Sequence, residues 1–284
     1  MNENLPVVIY SPESALRNPS RLLGEMFRDL MASRELAWRL FVRDISARYR
    51  QTFLGYIWAF LPPVATTLTF VLLNRSGVFQ VGETTLPYAA YVMIGTLLWQ
   101  VFVDALQAPI RMVTASKAML AKINFPREAL LLAGVGEVLF NFAIRFVLLV
   151  GVFVWFKITP PLTVLLLPAG LLALIGFGFM IGILLTPIGL LWHDVGQGLI
   201  LISGFWMFLT PVVYPPTKTG PMALLGTLNP VTPLIVTTRD WITTGHSTHL
   251  LGFLIIGGLT LLLLLIGWIL YRLAMPILVE RMGS

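Results

Sequence analysis

Cysteine is absent from all 284 residues. That excludes disulfides and any thiolate metal site. Histidine is scarce: His193, His246 and His249 are the whole set, and two of them sit in one polar loop. Charge is scarce as well. Asp, Glu, Lys and Arg make up 11% of the chain, against about 25% in a soluble domain. Nothing matches G-x-x-x-x-G-K-[ST], so the chain does not bind ATP through a P-loop, and no H-E-x-x-H is present. Asp104, Glu128, Glu137, Asp194 and Asp240 are scattered, with neither paired-carboxylate nor metal spacing. Catalysis within the chain therefore has little support. The His246/His249 pair near Arg239 and Asp240 is the one cluster that would suit a membrane glycan polymerase or acyltransferase. The first 53 residues lack an apolar h-region, so no cleavable signal peptide is expected.

Apolar sequence is abundant instead. Hydrophobic residues are 57% of the chain and its mean hydropathy is +0.86. The expected fold is an all-α polytopic membrane protein with six transmembrane helices. The runs fall at about 55–73, 88–106, 129–156, 162–191, 199–213 and 250–270, against the roughly 20 residues that a bilayer requires. Pro62 and Pro63 are expected to kink the first. Gly178 and Gly182 in the fourth form a small-xxx-small pair suited to close helix packing. Residues 214–249 are broken by prolines yet too apolar for a free loop, so they predict short half-buried helices dipping into the outer leaflet. The tail from Tyr271 is expected to return to water. Fourteen of the nineteen Lys and Arg lie in the N-terminal segment, the 111–127 stretch and the tail, and four lie opposite. The positive-inside rule then places both termini in the cytoplasm.

The stretch from Arg34 to Phe53 reads as an amphipathic helix leading into the first span. Trp38, Phe41, Val42, Ile45, Tyr49 and Phe53 share one sector of about 120°, with Arg39, Arg43, Ser46 and Arg50 across from it. Such a helix lies at the membrane interface. Leu36 and Leu40 sit on its polar side, which predicts a protein docked there. Glu137, Asn141 and Arg145 recur every four residues and form one polar stripe on the third span. Two readings stay open: the stripe satisfies itself or pairs with another helix, or Arg145 contacts an anionic substrate. Most aromatics near span ends read as interfacial belt. Phe60, Phe70, Phe102, Phe205 and Trp206 are the candidates for stacking on sugar rings along a substrate path.

Four motifs carry a resemblance. RDISARYRQTFLGYIWAFLPP (Arg43–Pro63) is similar to a family opening pattern, R-D-x-x-x-R-Y-x-x-x-x-L-G-x-x-W-x-x-x-x-P. KINFPREAL covers Lys122–Leu130, TPVVYP covers Thr210–Pro215 with Asn229-Pro230 and Arg239 downstream, and YRLAMPILVERM (Tyr271–Met282) follows the last span. Together they resemble the ABC-2 type permease subunit of exporters for O-antigen, capsule and teichoic-acid chains, over nearly the whole chain from Arg34. The resemblance implies the six-span type V exporter fold, in a homodimer bound to two copies of a separate ATPase that holds the ATP and magnesium. It implies an interface helix at 34–53, a transmembrane domain at 54–271 and a cytoplasmic tail at 272–284. Residues 115–124 would be the coupling helix and 214–244 the re-entrant periplasmic gate helices. Contact with the ATPase would involve Leu36, Leu40, Arg43, Arg48, Lys117, Lys122, Asn124 and Phe125. The gate would involve Tyr214, Pro215, Asn229, Pro230 and Arg239. The implied cargo is a glycan on undecaprenyl pyrophosphate or a similar lipid, crossing the bacterial inner membrane; no cofactor belongs to this chain and no nucleic acid is expected. Teichoic acid or a small hydrophobic compound is the alternative cargo. A lead-in of 33 residues departs from the family pattern, and its role is open.

Overall fold

The computed structural model describes residues 19–50, 55–79, 81–123, 125–216 and 219–283. Among them every regular element is helical: α1 Pro19–Ala32, α2 Arg34–Arg50, α3 Leu61–Arg75, α4 Tyr88–Ala115, α5 Lys117–Leu120, α6 Glu128–Trp155, α7 Leu167–Leu191, α8 Asp194–Leu209, α9 Pro221–Leu228, α10 Val231–Thr243 and α11 Leu250–Gly283. Short 3-10 turns at Gly55–Ala59 and Leu162–Leu166 lead into α3 and α7. Tyr49's side chain, Phe53, Asn124 and residues 1–18 of the lead-in lie outside the described set.

Four segments are long and apolar enough to cross a bilayer: Tyr88–Ala115, Glu128–Trp155, Leu162–Leu191 and Leu250–Val279. The fold is therefore an all-helical, multi-pass membrane fold. α3 and α8 are apolar but shorter, at 15 and 16 residues. At 1.5 Å per residue they reach only about 22 and 24 Å of a core of about 30 Å.

α4 is the axis of the bundle. Its most apolar window is 72% buried, against 17% for α11. The Gly178/Gly182 pair explains how α7 reaches it. A methyl group on Gly178 would stand 2.6 Å from the Phe102 carbonyl, and one on Gly182 would stand 2.5 Å from that of Leu106. The two backbones touch because the glycines leave room.

Several boundaries differ from the sequence reading. Pro62 and Pro63 open α3 rather than kink a span, because the helix breaks at Phe60 and proline suits a first turn whose N–H groups are free anyway. α4 runs past Leu106 and through Pro109 to Ala115, so Arg111 is helical. α8 starts at Asp194, five residues early. α11 does not release its tail at Tyr271. Tyr271 and Met275 are fully buried on the helix's continuation, so the tail has a packing face. α9 keeps Leu224, Leu225 and Leu228 exposed. α10 is enclosed, with Leu234, Ile235, Thr237, Thr238 and Ile242 all at 0% exposure. Gly170 of α7 makes this possible, since any side chain there would overlap Thr238.

Candidate functional site

Between α8 and α9 the chain leaves the helix while still inside the bundle. Thr210, Val212 and Val213 are fully buried there. Buried carbonyls without helical partners are costly, so each needs a donor from elsewhere. All six from Leu209 to Tyr214 have one. Asn229 Nδ2 donates to the Leu209 carbonyl (3.4 Å), and the Val212 N–H donates to that of Thr210 (2.6 Å). Arg239 donates through Nη2 to Pro211 (3.0 Å) and through Nη1 to Val212 (3.3 Å). Tyr88 and Tyr91 hydroxyls donate to Val213 and Tyr214, each at 3.1 Å.

Arg239 is the hub. It is 3% exposed, and its guanidinium lies 3.9 Å from the centroid of the Tyr91 ring. Its acceptors are carbonyl dipoles and an aromatic face. The neighbouring carboxylate, Asp240, accepts instead from the Thr248 N–H and hydroxyl (3.2 and 2.7 Å). Gly95 of α4 has to be glycine here, because a side chain would strike the Val212 carbonyl. Asn229 closes the other end. Its Oδ1 accepts from Trp206 Nε1 and the Val231 N–H, both at 3.0 Å, and its Nδ2 donates to Thr210 Oγ1 (2.7 Å). Tyr214, Asn229 and Arg239, together with Pro211, thus form one cluster, with Pro215 and Pro230 flanking it. Tyr88, Tyr91 and Gly95 complete it and were not legible in advance. Tyrosines three apart at the start of a span read as interfacial belt.

A second polar layer crosses the middle and the opposite end of the bundle. Arg145 Nη1 donates to Asp104 at 2.6 Å, and Asn141 Nδ2 reaches the same oxygen at 3.3 Å. Arg145 also donates to the Ala59 carbonyl (3.3 Å). The stripe is thus paired with another helix, α4. Arg145 is 8% exposed along its side chain and already neutralised, so an anionic substrate would have to displace Asp104. Glu137, one turn earlier twice over, sits between Arg48 of α2 and Arg111 of α4, the latter at 3.0 Å. Arg272 of α11 joins Asp29 of α1 (2.6 Å) to Glu128 of α6 (2.9 Å).

Three groups of expected contact residues are placed differently. Leu40 is 4% exposed and Leu36 is half-buried, both packed within this chain rather than on a free docking face. α2 lies on α6 through its aromatic sector, with Phe41 against Gly136, and Leu36 and Leu40 pack into the same hydrophobic core. Arg48 is engaged by Glu137 and Arg43 by Asp44 (2.7 Å). Phe102 is fully buried, its ring centroid 6.0 Å from Phe177 and 5.3 Å from Trp206, and Phe70 is 7% exposed. Both pack among other rings of this chain, Phe70 against Phe79 and Phe208. Phe60 and Trp206 are half-buried, and Phe205 is exposed. Lys117 and Lys122 are exposed on and just past the single turn of α5, and Phe125 is half-buried.

No family model matches the chain. The O-antigen export system permease protein RfbA of Myxococcus xanthus is 28% identical over 190 residues, covering 67% of this chain and 72% of that protein. Two proteins of the same name from Klebsiella pneumoniae are 24% and 21% identical over 204 residues, each covering 70% of this chain and 76% of the relative. The resemblance read from the motifs is thus matched by three relatives named as O-antigen export permeases.

Proposed function

We propose that this chain is the permease subunit of an ATP-driven exporter that carries lipid-linked polysaccharide across the bacterial inner membrane. The similarity to three O-antigen export permeases over two thirds of the chain supports this reading most. In it, α3 and α8 count with the four long helices as six spans, and both termini are cytoplasmic. Two copies face each other and two ATPase subunits dock beneath. The cation-rich α5 turn takes the ATPase stroke through exposed Lys117 and Lys122. The cluster around Arg239 closes the outer end as a gate, with α9 and α10 re-entrant. The chain supplies shape rather than bond chemistry. ATP and magnesium belong to the partner.

Co-expression with a P-loop ATPase encoded next to this chain's gene, whose presence is the first check, tests the proposal. The pair should co-purify, and lipid-linked glycan should stimulate hydrolysis. Lys122→Glu should abolish that stimulation and deplete surface glycan while the chain remains folded. Undiminished surface glycan would remove α5 from the coupling role. A chain that moves or modifies its cargo with no ATPase present would overturn the whole reading.

A further inference from the structure

α6 ends in an unusual residue. Its last turn closes with a paired cap: the Ile158 N–H donates to the Phe153 carbonyl (2.9 Å) and the Lys157 N–H donates to that of Val154 (3.3 Å). This cap requires a left-handed residue, and glycine is the usual occupant. Here it is Lys157, at φ 54°, the sole non-glycine residue with positive φ among the described residues. A lysine near a helix C-terminus complements the helix dipole, but any position in the last turn would supply that without left-handed backbone. The side chain is therefore kept at this place against local preference. It is exposed and has no carboxylate partner among the described residues.

Lys157 stands at the mouth of an apolar groove of about 510 Å³ between the end of α6 and the start of α7. Phe146, Val150 and Phe153 line one wall, Val164 and Leu167 the other, and Ile242 the floor. The groove follows α6 from Phe146 to Lys157, about 16 Å at 1.5 Å per residue. One leaflet of hydrocarbon is about 15 Å deep. A slot one leaflet long, apolar along its length and cationic at its end, has the dimensions and charge of one anionic phospholipid.

We propose that this groove is a binding site for an anionic phospholipid of the surrounding leaflet, with one acyl chain between α6 and α7 and the phosphate on Lys157. The proposal rests on the membrane fold alone, so its failure would leave the exporter reading untouched. Native mass spectrometry of the full chain, with phosphatidylglycerol and phosphatidylcholine of identical acyl chains, tests it. The wild type should retain phosphatidylglycerol preferentially. Lys157→Gly keeps the backbone geometry and should unfold no earlier than wild type, yet lose phosphatidylglycerol retention about fivefold, the effect of one lysine at an anionic membrane surface. Lys157→Arg should keep it, and Val150→Trp should expel both lipids. Equal retention of the two lipids by the wild type, or unchanged phosphatidylglycerol retention in Lys157→Gly, overturns the site. A Lys157→Gly chain that melts early would make the lysine structural and overturn it equally.

Discussion

The two ends of this bundle bury arginine in opposite ways. Around Arg239 the guanidinium is held by backbone carbonyls and a tyrosine ring, and it is 3% exposed. Around Glu137 and Arg272 the cations are held by carboxylates, and every arginine side chain there stays between 23% and 37% exposed. The first arrangement fixes an irregular chain segment, since each donor meets a carbonyl that has no helical partner. The second arrangement ties together helices that are already complete. Glu137 is also paired with both of its arginines without aligned hydrogen bonds, whereas the carbonyls around Arg239 have directed donors. One end is a staple that fixes irregular backbone, and the other is a joint between complete helices.

Loss of the staple should therefore be the largest effect in the chain. Arg239→Leu orphans two buried carbonyls, each costing about 1–3 kcal/mol. The variant should show the steepest fall in melting temperature, or fail to accumulate in the membrane. Gly95→Ala tests the same packing from the other side, because its methyl group meets the Val212 carbonyl, which the neighbouring donors hold in place. It should destabilise nearly as much. If Gly95→Ala is silent, the 210–214 segment is loose, and the contrast between the ends fails.

The joint should cost less to break. Removing one member of a fully buried ion pair costs about 3–5 kcal/mol. Arg48 and Arg111 are 37% and 33% exposed, so each can recover hydration when Glu137 is neutralised. Glu137→Gln should then cost about 1–2 kcal/mol, read as a shift in denaturant midpoint in detergent. Arg48→Gln combined with Glu137→Gln should cost less than the two added, because the carboxylate would no longer be orphaned. The same logic places Arg272→Gln between these, since Glu128 is 6% exposed while Asp29 is 38% exposed.

What could be read from the sequence follows this division. Apolar run length located the expected third and fourth spans closely, because burial in lipid depends on composition over about 20 residues. Helix ends did not follow composition. α4 continues through Arg111, and α11 through Arg272, because Glu137, Asp29 and Glu128 from distant helices neutralise those charges. The prolines from Pro215 onward marked a broken segment, but the fifth apolar run was carried to Val213 although the helix ends at Leu209. The irregular stretch from Thr210 was therefore not anticipated, and Arg239 was tied to it only by the family resemblance. Tyr88 and Tyr91 were not visible, since hydrogen bonds spanning more than 120 residues leave no local trace. Leu40 misled for a related reason. A wheel shows which side of a helix is polar, but not that Leu40 on that side joins the hydrophobic core.

The smallest expected effect is the most informative about why the ends differ. Arg39 and Glu35 make a 2.6 Å ion pair on α2, shorter than the 3.0 Å pair between Arg111 and Glu137. Their side chains are 74% and 77% exposed. Pairs of this kind contribute almost nothing, because water and salt screen them and both side chains lose freedom. Arg39→Ala should leave the melting temperature within error, at low and high salt alike. If distance set the strength of these contacts, Arg39→Ala would instead destabilise more than Arg111→Gln. Measuring the two side by side separates burial from geometry, and burial is the variable on which the staple and the joint were distinguished.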